Sequence, residues 1–383
     1  MAIQPRNKPY EIPKYSLTGD LLSYLECGVQ YRFNSKGSLP PSTPVQKWFG
    51  DFIHGVMEVA FAEWREGRLD IDQIDFEGTQ RIAKIVAERL EDQGLRPYWG
   101  LYIKEDTTDR KRKDCQANWI AFQSLYVWAP SLFPLINDNE VKMEEVRDQI
   151  GFNQGLGKSD RYTVEGIVDV ISTFKVKKFQ SNNPLVKALM LNETVSDLIG
   201  SDEEYEIIID YKGMERPRTD SNTWKYHEWQ LHTYMWLRQE QLKAEGKDTQ
   251  ILAGVLLYLN ELHLSQAALA ALQEAVASNK TDVMPKTPND IGRLKRKQQF
   301  NETLRIKRSI RVVAYDPKEI SESLSKFDEV VKDIETNLQS EMTDSTDIWK
   351  HWKGEFDGSR CVACDLKTFC PHAKQGNYSI QVP

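Results

Sequence analysis

Apolar residues in this chain fall into two patterns, and each keeps to its own part of the sequence. The first half is dominated by helical spacing. Ser16 or Thr18 can cap a short helix carrying Leu21, Leu22 and Leu25, with Cys27 just after it. A Pro-rich loop at Pro40, Pro41 and Pro44 precedes a helix from about Val45 to Glu66, whose stripe is Trp48, Phe52, Val56, Val59 and Ala60. Gly50 and His54 lie one turn apart on it. Two further helices are predicted over 77–93 and 115–128.

From about Lys142 the pattern becomes extended, with strands predicted at Met143–Ile150, Tyr162–Ser172 and Glu204–Lys212 and a polar turn near Gly155–Ser159. Residues 173–203 read as an insertion with a short helix near Val186–Leu191. Leu231, Tyr234, Met235 and Leu237 predict a helix over Glu228–Glu245, followed by strands at Ile251–Leu259 and Ser309–Tyr315. Residues 265–308 read as a helix plus a basic segment, and Pro317–Met342 as an amphipathic helix. Helices, then strands, helix and strand imply an α/β fold with a central mixed sheet.

Composition narrows the class. The 383 residues are 40% hydrophobic and 28% charged, and no apolar run approaches the ~18 residues of a membrane span. The first residues lack the apolar core of a signal peptide, so a cytoplasmic location is expected. A net charge of −7 argues against a general coat of positive potential, although nucleic-acid binding requires only a local basic surface. Five cysteines are too few for a disulfide framework, which makes their spacing the informative feature.

The strand Tyr205–Lys212 ends in Asp-Tyr-Lys, and alternation along a strand puts Asp210 and Lys212 on one side. An earlier strand contains Gly166-Ile-Val-Asp169, with Asp169 near its end. Two carboxylates on neighbouring strands suit Mg²⁺ or Mn²⁺, hard cations that prefer oxygen, and a nearby lysine can orient or help deprotonate a water attacking a phosphodiester. Gln230 and Tyr234 are one turn apart on a helix and can bond a phosphate or that lysine. His54 can offer an imidazole to the same cation. Cys361-x₂-Cys364-x₅-Cys370 is a metal-binding spacing that lacks one ligand, for which Cys27 is preferred over Cys115, with His372 the rival in a Zn²⁺ site.

Taken together, Gly50/His54, Gly166/Asp169, Asp210/Lys212 and Gln230/Tyr234, in that order, resemble the PD-(D/E)XK nucleases. With Cys27, Cys361, Cys364 and Cys370 they resemble the RecB-like, iron–sulfur exonuclease branch, which includes AddB and the exonuclease of CRISPR adaptation. The resemblance implies a restriction-endonuclease-like central mixed sheet flanked by helices. It implies His54, Asp169, Asp210 and the Tyr211 carbonyl as metal ligands, Lys212 acting on the water, and Gln230 and Tyr234 supporting the site. It also implies that the four cysteines hold a [4Fe–4S] cluster that stabilises the chain. On this reading the chain divides into an N-terminal helical region (1–140) with the first cluster cysteine and the metal histidine, a nuclease core (141–345) with insertions near 173–203 and 265–308, and an iron–sulfur segment (346–383).

The expected activity is metal-dependent exonucleolytic hydrolysis of DNA ends or single strands, in repair, recombination or CRISPR adaptation, with a helicase or a CRISPR integration complex as possible partner. Phosphate contacts are expected from Arg110–Lys113, Arg216, Arg218, Arg293, Lys295 and Arg296, and base stacking from Trp224, Tyr226 and Trp229. The alternatives are a non-catalytic DNA-binding or assembly subunit that keeps the fold, and Zn²⁺ in place of the cluster.

Overall fold

The computed structural model describes residues 12–36, 45–95, 116–149, 159–175, 182–200, 204–344, 348–358, 361 and 364–373. Arg110–Lys113, Cys115, the Pro-rich loop and most of the turn near Gly155 lie outside them. In chain order the main elements are β1 (Lys14–Ser16), α1 (Gly28–Ser35), α2 (Val45–Arg65), α3 (Phe76–Asp92), α4 (Gln116–Leu132), β2 (Ile136–Asp148) and β3 (Arg161–Lys175). Then follow α5 (Pro184–Met190), α6 (Glu193–Leu198), β4 (Glu204–Lys212), α7 (Asn222–Ala244), β5 (Gln250–Tyr258), α8 (Gln266–Ala277), α9 (Pro288–Lys295), α10 (Glu302–Ser309), β6 (Ile310–Ala314) and α11 (Pro317–Thr343).

The strands form a mixed sheet in the order β1-β3-β4-β5-β6, with β2 also paired to β3. This is the restriction-endonuclease-like α/β fold expected from the sequence. The chain divides into two compact units, and the boundary falls inside β2 and again inside β3.

The larger unit comprises 43–141 and 167–316. Its central pair is β4 and β5, parallel and joined through α7, flanked by antiparallel β3 and β6. Both central strands are buried almost end to end, which is why they read as unbroken apolar runs rather than alternating ones. Burying each of Ile207, Ile208 and Ile209 stabilises the unit by about 1.5–3 kcal/mol. The apolar stripe of α2 buries Trp48, Phe52 and Val56 in the same core as Ile207, Ile209 and Val255.

Several elements differ from the sequence expectation for local reasons. Helix α7 starts six residues before Glu228 because Ser221 Oγ accepts the Trp224 N–H at 3.1 Å, a capping bond that apolar spacing does not report. The insertion after β3 holds two short helices, capped by Asn183 and Asn192. The basic stretch folds as α9 and α10 packed with α8 around Leu269, Leu294, Phe300 and Leu304. Strand β2 begins at Ile136, earlier than expected, since its exposed run Asn137–Glu140 has no apolar alternation.

The smaller unit comprises 1–42, 142–166 and 317–383. Here β1 runs parallel to the first part of β3, with Tyr15 opposite Val164. Helix α11 packs on these strands through polar as well as apolar contacts: Tyr15 bonds Glu335, and Asp328 receives both Tyr162 and a two-pronged contact from Arg147. Among the described residues, no helix is long and apolar enough to cross a membrane.

Candidate active site

The ladder between β3 and β4 has its last pair at Val170 and Ile209. One step further the side chains take over: the Tyr211 N–H donates to Asp169 Oδ2 at 2.6 Å. That handover brings Asp169, Asp210 and the Tyr211 carbonyl to one strand end. Helix α2 supplies the imidazole. His54 Nε2 lies 3.0 Å from the Tyr211 carbonyl oxygen and Nδ1 lies 3.3 Å from Asp169 Oδ1. The imidazole is also edge-on to the Tyr211 ring. A Cβ at Gly50 would meet no described atom within 4 Å, so Gly50 leaves open space one turn before His54.

Lys212 is held by two neighbours. Its Nζ is 2.6 Å from Asp210 Oδ2 and donates to Gln230 Oε1 at 2.6 Å. Gln230 Nε2 then donates to the Tyr234 hydroxyl at 2.9 Å. An ammonium has three N–H donors, so these two contacts leave one for a water or a phosphate oxygen. Gly254 on β5 brings α7 this close, because a Cβ there would sit 2.9–3.1 Å from Leu231 atoms.

The electrostatics set two buried carboxylates against a lysine and an imidazole. Asp210 is 3% exposed, and burial, joined by the charge of Asp169, raises its pKa against the pull of Lys212. Asp210 Oδ2 has no hydrogen bond of good geometry; Lys212 meets it as an ion pair. Burial opposes protonation of His54, but Asp169, with help from Asp210, outweighs it and raises the imidazole pKa to about 9. Burial holds the Tyr211 and Tyr234 phenols protonated. One imidazole nitrogen, buried carboxylates and a main-chain carbonyl make a donor set that fits a hard divalent cation.

The sequence did not point to Glu140. Its carboxylate, His54 and Asp169 each offer a donor atom within 4.8 Å of the others. The one signal in the sequence is the polar run Asn137–Glu140 within a strand, which carries no chemical motif.

The cysteines also meet. Cys27, Cys361, Cys364 and Cys370 line one small cavity with Val29, Leu366 and Ala373. The Val29 N–H donates to the Lys353 carbonyl at 3.3 Å, which seats α1 against the C-terminal segment. Burial raises the Cys364 thiol pKa, and the other three sulfurs add to the shift. Four thiols in an apolar setting fit a group bound by thiolates, either an iron–sulfur cluster or Zn²⁺. His372 lines the same cavity, its ring packed where a Cβ on Gly354 would lie 2.4 Å away.

The proposed DNA contacts are only partly at the surface. Arg216 turns inward: its guanidinium pairs with Asp282 and donates to the Arg308 and Ile310 carbonyls at 3.0 and 2.5 Å. Trp229 is 3% exposed and offers no open ring face, while half-buried Trp224 has one face covered by the Arg311 guanidinium at 3.9 Å. These residues hold the fold because α7 and β6 bring them against it, a placement the charge and aromatic runs could not reveal. Arg218 is paired with Asp220, and Arg293 donates to the Gln299 carbonyl. Lys295 and Arg296 are exposed.

Fold and site together define an α/β domain that places carboxylates and an imidazole beside a lysine held by two neighbours. A family model described as the PD-(D/E)XK nuclease superfamily matches residues 193–371 and supports that superfamily. The matched span contains Asp210, Lys212, Gln230, Tyr234 and the three C-terminal cysteines; His54 and Asp169 precede it and join the site through the fold. No curated protein matches the chain.

Proposed function

We propose that this chain is a divalent-metal-dependent deoxyribonuclease, acting as an exonuclease on DNA ends or single strands. The observation that carries this reading is the double hold on Lys212, 2.6 Å from Asp210 and from Gln230, next to the His54–Asp169 pair. Mg²⁺ or Mn²⁺, held by His54, Asp169, Asp210 and the Tyr211 carbonyl, would polarise the phosphoryl oxygen and offset the developing charge. Lys212 presents its remaining N–H to the attacking water, Gln230 keeps the ammonium aimed, and Tyr234 keeps the Gln230 amide in place. Water would add to phosphorus and give up a proton to solvent, the bond to the leaving sugar oxygen would break, and that oxygen would take up a proton from solvent.

The four cysteines suit a [4Fe–4S] cluster that fixes the C-terminal segment against α1 and takes no part in the chemistry. A brown protein absorbing near ~400 nm supports the cluster, and a colourless one with stoichiometric zinc replaces it with Zn²⁺. Repair, recombination or CRISPR adaptation, beside a helicase or an integration complex, would suit such an activity.

The test is a degradation assay on end-labelled single- and double-stranded DNA with Mg²⁺ or Mn²⁺. Shortening from an end that Asp210→Ala and Lys212→Ala both abolish is the expected result. DNA bound but left uncut under every divalent metal would turn the reading into a non-catalytic DNA-binding subunit.

A further inference from the structure

Glu140 has an unusual backbone for its place. It sits inside β2 at φ +52°, in the left-handed region, where a residue with a side chain is uncommon. Among the described residues no hydrogen bond or salt bridge accounts for this posture. What the posture achieves is position: the carboxylate reaches a niche lined by His54, Glu58, Asn139, Asp169 and Tyr211.

The distances match one cation. Donor atoms of Glu140, His54 and Asp169 lie within 4.8 Å of one another. Donors on opposite sides of a single Mg²⁺ are about 4.2 Å apart, so a small side-chain adjustment suffices. Two carboxylates share this niche with one imidazole, a donor set of the kind a divalent cation takes, and a strained residue placed there is a pointer to use rather than to packing.

We infer that Glu140 is a further protein ligand for the divalent cation, reaching it from β2 on the His54–Asp169 side. The inference rests on the reading of this site as a metal site and adds a residue to it. A third carboxylate raises affinity for a dication and lets the site load at lower metal concentration, while Asp210 stays engaged with Lys212.

The experiment measures metal binding without DNA, so it does not depend on turnover. Mn²⁺ is titrated into the full chain and free Mn²⁺ is read by electron paramagnetic resonance, for the wild type, Glu140→Gln and Glu140→Gly. Glu140→Gln should weaken Mn²⁺ binding about 10–100-fold, and excess Mn²⁺ should restore any DNA cleavage. Glu140→Gly should lose affinity to the same degree while its thermal midpoint holds or rises, because glycine accepts the positive φ. Wild-type affinity in both variants overturns the inference and leaves the nuclease reading standing. Weakened binding in a protein that cuts no DNA supports the Glu140 assignment while the nuclease reading fails. A wild type that binds no Mn²⁺ overturns both.

Discussion

Gln230 holds Lys212: the amide oxygen accepts the ammonium at 2.6 Å, and the same amide donates onward to Tyr234 at 2.9 Å. The two residues come from different elements, the end of β4 and the third turn of α7, so the bond ties Lys212 to the helix packed over the sheet. In Gln230→Ala, Lys212 keeps Asp210 and loses its aim. Steady-state DNA cleavage should fall about 10–100-fold through kcat, with KM little changed. Tyr234→Phe removes only the outer support and should cost less, about 2–10-fold. Equal loss in both variants would contradict a chain of support that runs outward from the lysine.

Gly254 makes that bond possible. An added Cβ would stand 2.9–3.1 Å from Leu231, including its Cβ, so the helix must shift as well as the side-chain tip. Gly254→Ala should destabilise by about 1–3 kcal/mol in urea unfolding. At temperatures where it is fully folded it should lose activity in the same direction as Gln230→Ala, because it shifts away from Lys212 the amide that Gln230→Ala removes.

Behind the site, Glu261 and Arg308 are 1% and 2% exposed at their side chains and meet through two bonds, 2.7 and 2.9 Å long. Glu261 Oε1 also receives the Arg216 N–H at 3.0 Å. Glu261→Ala leaves a buried guanidinium with no carboxylate and should cost about 3–5 kcal/mol, read as a lower urea midpoint. The Arg308→Lys variant keeps the charge but loses the fork, and should recover only part of that stability.

The parts of the site that could be read in advance are those where chemistry and spacing coincide in a short stretch. Asp210 and Lys212 alternate on one strand, Gln230 and Tyr234 recur at one helical turn, and Cys361 and Cys364 carry their own spacing. Glu140 could not be found this way, since its place beside His54 and Asp169 depends on a backbone conformation and on which strand lies beside β3. The same limit applied to Arg216 and Trp229, whose residue types suit DNA but whose elements turn them inward. Gly254 illustrates a third case: its purpose is the distance between a helix and a sheet, which no local pattern encodes. Strands β4 and β5 are legible because burial on both faces leaves an unbroken apolar run, and β2 is not because much of it is exposed and polar.

Acid sensitivity should centre on His227. Burial, with the charges of Lys212 and Arg311, lowers its pKa to about 3, and its Nδ1 lies 3.0 Å from the Tyr258 hydroxyl. Burial holds Tyr258 protonated, so the phenol donates and a neutral imidazole accepts. Unfolding frees the imidazole to titrate at about 6.5. Above that pH neither state binds the proton and nothing changes. As pH falls from about 6.5 towards 3 the unfolded chain takes up the proton first, and the folded state loses at most about 1.4 kcal/mol per unit from this group. His227→Gln keeps a hydrogen-bond acceptor without the titration. The difference between the two urea-unfolding curves, measured from pH 8 to 4, should be flat above about 6.5 and should move in favour of the variant below it. A difference that stays constant over the whole range would show that His227 titrates alike in the folded and unfolded protein and would overturn the prediction.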